Sequence, residues 1–177
     1  IIRDWKSKLY NYKPVPPVEV GMGPVLENVL TGDDIDLFKF PTPLWHVLDG
    51  GRYIGTGDVS INRDPEEGFV NVGTYRVMIH DKNMVSYYQS PGTHGNMIRQ
   101  KYWAKGKDCP VVICFGQDPM VFAASTFQLP WGWEELDFAG YIRGKPVKVI
   151  KDDATGLPIP ATAEIAIAGF APPEKES

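Results

Sequence analysis

Phe69-Val70-Asn71-Val72-Gly73-Thr74-Tyr75-Arg76-Val77-Met78-Ile79 is the stretch on which the fold class turns. Its β-branched and aromatic residues predict a strand. Upstream, the turn Asp49-Gly50-Gly51 leads into a second predicted strand over residues 52–62. Downstream, Asp81-Lys82-Asn83 is a turn and residues 84–89 a third strand. Together the three read as an antiparallel meander.

Further along, Pro91-Gly92 breaks the chain, and Thr93 caps a helix running to about residue 105. Residues 110–115 form a short apolar run and predict a buried strand. Residues 119–124 are short and ambiguous. A helix over 133–142 ends at Gly144. Strands follow at 146–151 and 163–170. With Gly 18 and Pro 16 in 177 residues, turns are frequent and elements short. About eight short strands with two or three helices predict a β-rich α+β fold, a small barrel or sandwich. No internal repeat is present.

Residues 1–44 carry Pro14, Pro16, Pro17, Pro24, Pro41 and Pro43. They are expected to form an extended arm, lying along residues 45–172 or against missing partners, with 173–177 a tail cut short. The start Ile1-Ile2-Arg3-Asp4-Trp5 has neither an initiator Met nor a signal-peptide pattern, so the chain reads as an excerpt of a longer protein. A net charge of −4 gives no electrostatic footprint for nucleic acid. No apolar run reaches the roughly 18 residues of a membrane span. Cys109 and Cys114, five apart in an apolar stretch, predict two free thiols in a cytoplasmic core.

Three stretches carry candidate chemistry. Asn71 and Arg76 sit within a predicted strand, where buried polar groups need partners. Simple alternation puts them on opposite faces, unless Gly73 hosts a bulge. His94 stands in the first turn of a helix, where free amides and the positive dipole end favour an anion. Glu134, Glu135 and Asp137 open another helix. Taken singly, each has an ordinary reading: an edge strand in water, a surface histidine, dipole compensation. Taken together, an amide oxygen, an imidazole and a carboxylate make a mixed O/N donor set that suits Mn²⁺ or Mg²⁺, with a phosphate completing the shell.

Over residues 35–172 the sequence resembles the UbiD family of prenylated-flavin-dependent (de)carboxylases. The resemblance is carried by Asp49-Gly50-Gly51-Arg52-Tyr53-Ile54, Asp64-Pro65, Asn71 through Arg76, and His94. It continues through Phe115-Gly116-Gln117-Asp118-Pro119, Phe138-Ala139-Gly140-Tyr141-Ile142-Arg143-Gly144 and Ile159-Pro160-Ala161-Thr162-Ala163-Glu164-Ile165. It implies a split β-barrel similar to flavin reductases, the middle domain of a three-domain enzyme.

It further implies that Asn71, His94 and Glu135 hold a Mn²⁺ (or Mg²⁺) ion on the phosphate of prenylated FMN. A K⁺ ion is implied near Val72 and Ala124 to Phe127. Cofactor contacts are implied for Asn71, Val72, Thr74, Tyr75, Arg76, Thr93, His94, Ser125, Thr126, Phe127 and Glu135. Arg76 matches the family's catalytic arginine, which orients the substrate carboxylate. A flavin prenyltransferase would supply the cofactor to a homo-oligomeric parent. The family's paired catalytic glutamates lie in a Glu-Gly-Pro-Phe-Gly-Glu type run that this sequence lacks, so the excerpt is expected to be inactive. The resemblance also implies flanking N-terminal α/β and C-terminal oligomerisation domains, expected outside this excerpt. The competing reading is a flavin-reductase-like module without carboxy-lyase chemistry.

Overall fold

The computed structural model describes residues 11–173. The first ten residues of the arm and residues 174–177 of the tail lie outside the described residues. Among the described residues ten strands form three sheets and no closed barrel. The four-stranded sheet runs β10-β7-β3-β4, from Ile165–Ala171 (β10), Cys109–Phe115 (β7), Val59–Arg63 (β3) and Val70–Gly73 (β4). A second sheet orders Arg52–Gly55 (β2), Arg76–Asp81 (β5) and Met84–Tyr88 (β6). The third orders Val18–Glu19 (β1), Lys148–Lys151 (β8) and Pro158–Pro160 (β9). Among the described residues three α-helices complete the fold: His94–Trp103 (α1), Pro119–Ser125 (α2) and Glu135–Arg143 (α3). The fold is mixed α+β and sheet-rich, as expected.

Both long strands of the predicted meander are broken, and each half joins a different sheet. The 52–62 stretch divides at Thr56-Gly57-Asp58 into β2 and β3, and the 69–79 stretch divides at Thr74-Tyr75 into β4 and β5. The antiparallel pairings survive, β3 with β4 and β5 with both β2 and β6. At the second break a Cβ on Gly73 would stand 2.7 Å from the Tyr75 hydroxyl. Only a residue without a side chain lets Tyr75 fold back over the strand it has just left. Asn71 and Arg76 are therefore in different sheets, a separation that simple alternation along one strand does not describe.

The ambiguous 119–124 stretch is helical. Asp118 caps it by accepting from the Met120 amide at 2.8 Å, and Pro119 supplies a first residue that needs no amide partner. α1 begins after Thr93 as predicted, with the Asn96 amide donating to the Thr93 hydroxyl at 3.4 Å. α3 starts two residues later than predicted and stops at Gly144, whose φ of 72° favours glycine. β9 was not foreseen. Its Pro158 and Pro160 suit the sheet edge that it occupies.

Every residue of β3 from Val59 to Asn62 is buried. Val59 and Ile61 join Val72, Val112, Leu136, Phe138 and Leu157 in the main core. A smaller cluster of Val77, Val111 and Ile113 lies with the second sheet. Both cysteines are buried free thiols. No helix among the described residues is long and apolar enough to cross a membrane.

The described part of the arm lies against this body. Tyr12 stacks on Trp133 with ring centroids 4.6 Å apart, and Tyr141 donates to the Asn11 carbonyl at 3.0 Å. β1 adds to β8 in parallel. Leu37 is buried, and its amide donates to the Lys82 carbonyl at 2.7 Å. Leu44, Trp45, Val47 and Leu48 are exposed, the last two almost completely, at 94% and 97%.

Gly140 in α3 tests this seating. A Cβ there would meet the Val15 carbonyl oxygen at 2.5 Å. Alanine is intrinsically better than glycine inside a helix by about 1 kcal/mol, but overpacking against backbone costs roughly 1–3 kcal/mol. Gly140→Ala is expected to lower stability to urea unfolding by about 1 kcal/mol. A gain in stability would show that the arm does not lie on α3.

Candidate functional site

The site is organised by β4. This strand is the edge of its sheet, with β3 on one side only. Its outward amides do not face water: Val70 donates to Glu134 Oε1 at 2.9 Å, and Val72 donates to Glu135 Oε2 at 2.8 Å. The first residues of α3 thus close an open strand edge with two carboxylates. Asn71, between these amides, is buried. Its side-chain amide donates to Asn62 Oδ1 at 3.1 Å, and Asn62 Nδ2 donates in turn to the Gly95 carbonyl at 3.1 Å. Asn62 and Asn71 are register partners across β3 and β4.

The edge-strand reading of Asn71 is therefore right about the strand and wrong about the water. The dipole reading of Glu135 fails for a similar reason, since the residue is only 3% exposed and bonded to another element. Burial pushes its carboxyl up to about 8; the Val72 amide pulls against that rise and the Glu134 charge adds to it.

His94, half-buried at the start of α1, meets the Trp131 ring edge-on at 5.0 Å. Burial lowers its pKa, which favours the neutral imidazole that a metal needs. Trp131 is itself fixed, donating to Glu67 Oε1 at 2.9 Å and packing on Phe69. The Tyr75 hydroxyl is wedged between two glycines: a Cβ on Gly73 or on Gly95 would stand 2.7 Å from it. Burial raises the pKa of this phenol, and the Glu135 charge acts on it in the same direction. The stretches carrying Asn71, Glu135 and the first turn of α1 thus converge on the end of β4.

The remaining predicted residues are distributed around this point. Val72 is buried in β4, and the buried Thr74 hydroxyl has no hydrogen-bond partner. Thr93 donates to the Ser90 carbonyl at 2.8 Å while capping α1. Ser125 and Thr126, at the end of α2, each donate a hydroxyl at 2.7 Å, to the carbonyls of Phe122 and Ala123. Phe127 packs edge-on against Phe138 at 5.5 Å. Arg76 is exposed at the start of β5, opposite Tyr88. The sequence reading missed Asn62 and Trp131. The signal for Asn62 was present: a strand asparagine needs a partner, and the meander set a second one opposite it.

Among the described residues no three His, Cys, Asp or Glu side chains cluster as a metal site. The ligand set expected from the sequence is mixed: the Asn71 amide oxygen, the His94 imidazole and the Glu135 carboxylate. The donor set fits a hard divalent cation. The Asn71 nitrogen is engaged elsewhere, Glu135 has its second oxygen outside the Val72 bond, and the imidazole is biased neutral.

Comparison with known proteins gives the same picture for family and fold. The family model "UbiD: 3-octaprenyl-4-hydroxybenzoate carboxy-lyase Rift-related domain" matches residues 17–177. Pyrrole-2-carboxylic acid decarboxylase of Pseudomonas aeruginosa is 35% identical over 157 residues, which is 89% of this chain and 32% of that protein. Ferulic acid decarboxylase 1 of Saccharomyces cerevisiae is 31% identical over 172 residues, 95% of this chain and 34% of that protein. Among solved structures, an evolved dimeric form of the UbiD-class enzyme HmfF from Pelotomaculum thermopropionicum, in complex with prFMN, superposes with a TM-score of 0.88 at 28% identity. That match covers 97% of this chain and 40% of that one. The chain spans about a third of the length of the curated relatives it matches.

The buried carboxyls set a pH dependence. Glu135 rises from 4.5 to about 8 and Asp58 from 3.8 to about 7, both chiefly through burial. Each binds more protons folded than unfolded, so its contribution is complete below the ordinary value and lost as pH climbs through the raised one. His94, shifted down, acts oppositely around its ordinary 6.5. With metal-free protein, the melting temperature is expected to fall from pH 6 to pH 9. Glu135→Gln should flatten that fall. A profile that rises across this window, or one that the substitution leaves unaltered, would contradict the burial argument.

Proposed function

We propose, for a chain that belongs to the UbiD family, that it is the cofactor-binding part of a decarboxylase acting on an aromatic or α,β-unsaturated carboxylic acid through prenylated FMN. The observation that carries this reading is the convergence of Asn71, Glu135 and the start of α1 on the end of β4. The substrate class is supported by the relatives, named for pyrrole-2-carboxylic and ferulic acids, one heteroaromatic and the other α,β-unsaturated. The split-barrel kinship with flavin reductases belongs to the same proposal, as does the division into an arm over 1–44, a cofactor domain over 45–172 and a short tail. A cytoplasmic, homo-oligomeric parent supplied by a flavin prenyltransferase completes it.

In this reading Asn71, His94 and Glu135 hold Mn²⁺ or Mg²⁺ on the flavin phosphate. The carbonyls that gather where α2 ends, with Val72, suit a K⁺ ion. Val72, Thr74, Tyr75, Thr93, Ser125, Thr126 and Phe127 contact the cofactor; the partnerless Thr74 hydroxyl fits such a part. When bound, the prenylated flavin supplies the electron sink for loss of CO₂. Arg76 offers the substrate carboxylate a planar, permanently charged fork.

The proton donor is a glutamate outside this sequence. Glu164 is not a substitute: it is exposed, its amide donates to the Phe115 carbonyl, and its side chain lies against Gly116. The 177 residues alone are therefore proposed to release no CO₂ at enzymatic rates.

Two measurements test this. In the full-length parent, co-expressed with a flavin prenyltransferase, mass spectrometry should find prenylated FMN. Arg76→Ala should cut decarboxylation at least about 100-fold, the scale of losing a group that acts in the transition state, while the flavin absorbance stays. Ordinary FMN with NAD(P)H oxidation, indifferent to Arg76, would favour a flavin-reductase-like module instead.

A further inference from the structure

We propose that Asn62 is a positioning residue, which sets the direction of the Asn71 amide and ties it to the first turn of α1. The inference rests on the reading of Asn71 and His94 as ligands of one divalent ion.

Its core is a polarity argument. A carboxamide presents an oxygen or an NH₂ group depending on a half-turn of its last torsion, and only the oxygen binds a cation. The orientation here is dictated from a fixed point. The Gly95 carbonyl is an acceptor with no alternative, so the Asn62 side chain must turn its nitrogen toward it, at 3.1 Å. The Asn62 oxygen then faces Asn71, at 3.1 Å, and accepts only if Asn71 turns its own nitrogen inward. Asn71 Oδ1 is thereby left facing away from Asn62. Asn62 and Asn71 are 1% and 3% exposed, so bulk water offers neither amide an alternative partner.

The same two bonds join β3, β4 and α1. Gly95 follows His94 directly, so the carbonyl that orients the asparagine pair also sets the start of the helix bearing the imidazole. A purely apolar pair at 62 and 71 would hold two strands together equally well. What the asparagine pair adds is direction.

Mn²⁺ titration of the 177-residue chain, followed by electron paramagnetic resonance or calorimetry well below the melting temperature, provides the test. Asn71→Ala and His94→Ala are expected to abolish the site. Asn62→Leu, which removes both bonds at similar volume, should weaken Mn²⁺ about 10–100-fold, the usual effect of losing a residue that orients a ligand. Asn62→Ser, too short to span both partners, should also weaken it and serves if the leucine variant does not fold. Nuclear magnetic resonance of the wild type should show slowly exchanging Asn71 side-chain amide protons, and that protection should vanish in either Asn62 variant.

If both folded Asn62 variants bind Mn²⁺ as the wild type does, while Asn71→Ala does not, the positioning role is overturned and the metal reading stands. If the wild type has no Mn²⁺ site that Asn71→Ala removes, the metal reading fails and this role falls with it.

Discussion

Two carboxylates seated on two backbone amides organise this molecule. Glu134 and Glu135 accept from Val70 and Val72 and so dock the start of α3 on the outer edge of β4. An uncovered edge presents amides that demand partners. Here side chains meet the demand, and the same contact fixes where a buried carboxyl stands relative to Asn71. Burial of Glu135 is a cost to the fold, because the charged form loses its water. If an ion binds there as proposed, the same burial works in its favour, because a carboxyl held short of full solvation gains more from an arriving cation than a hydrated one does.

Around that contact the polar groups form a connected series. The Gly95 carbonyl, Asn62, Asn71 and the β4 backbone link α1 to α3 through two strands. Gly73 and Gly95 leave room for the Tyr75 hydroxyl between them. Trp131 carries the loop before α3 across to His94. Family membership and the TM-score of 0.88 to a UbiD-class structure place this arrangement within a known architecture. The local bonds explain how this particular sequence builds it.

Much of the fold was legible in advance. The class, the antiparallel pairings of the meander, the start of α1 and the stop of α3 follow from turn residues, capping and alternation. The strand breaks did not, because Gly73 reads equally as a bulge or as a switch between sheets; the choice depends on Tyr75 folding back, a contact that local pattern does not encode. The Asp118-Pro119 start of α2 is a capping signal, but seven residues are too few for a helical period to show. Of the site, Asn71, His94 and Glu135 were singled out by residue type and position. Asn62 was missed because its worth lies in a register partner, visible only when strands are laid side by side.

The switch at Thr74-Tyr75 has a geometric consequence. Asn71 lies in the edge strand of one sheet and Arg76 begins a strand of another, so the short link between them acts as a ruler shared by the two sheets. Inserting or deleting a single residue there would swing the guanidinium to the opposite face of its strand while leaving the amide where it is. Sequence drift on either side of the link is cheap by comparison, since each sheet can repack around its own core without altering that spacing.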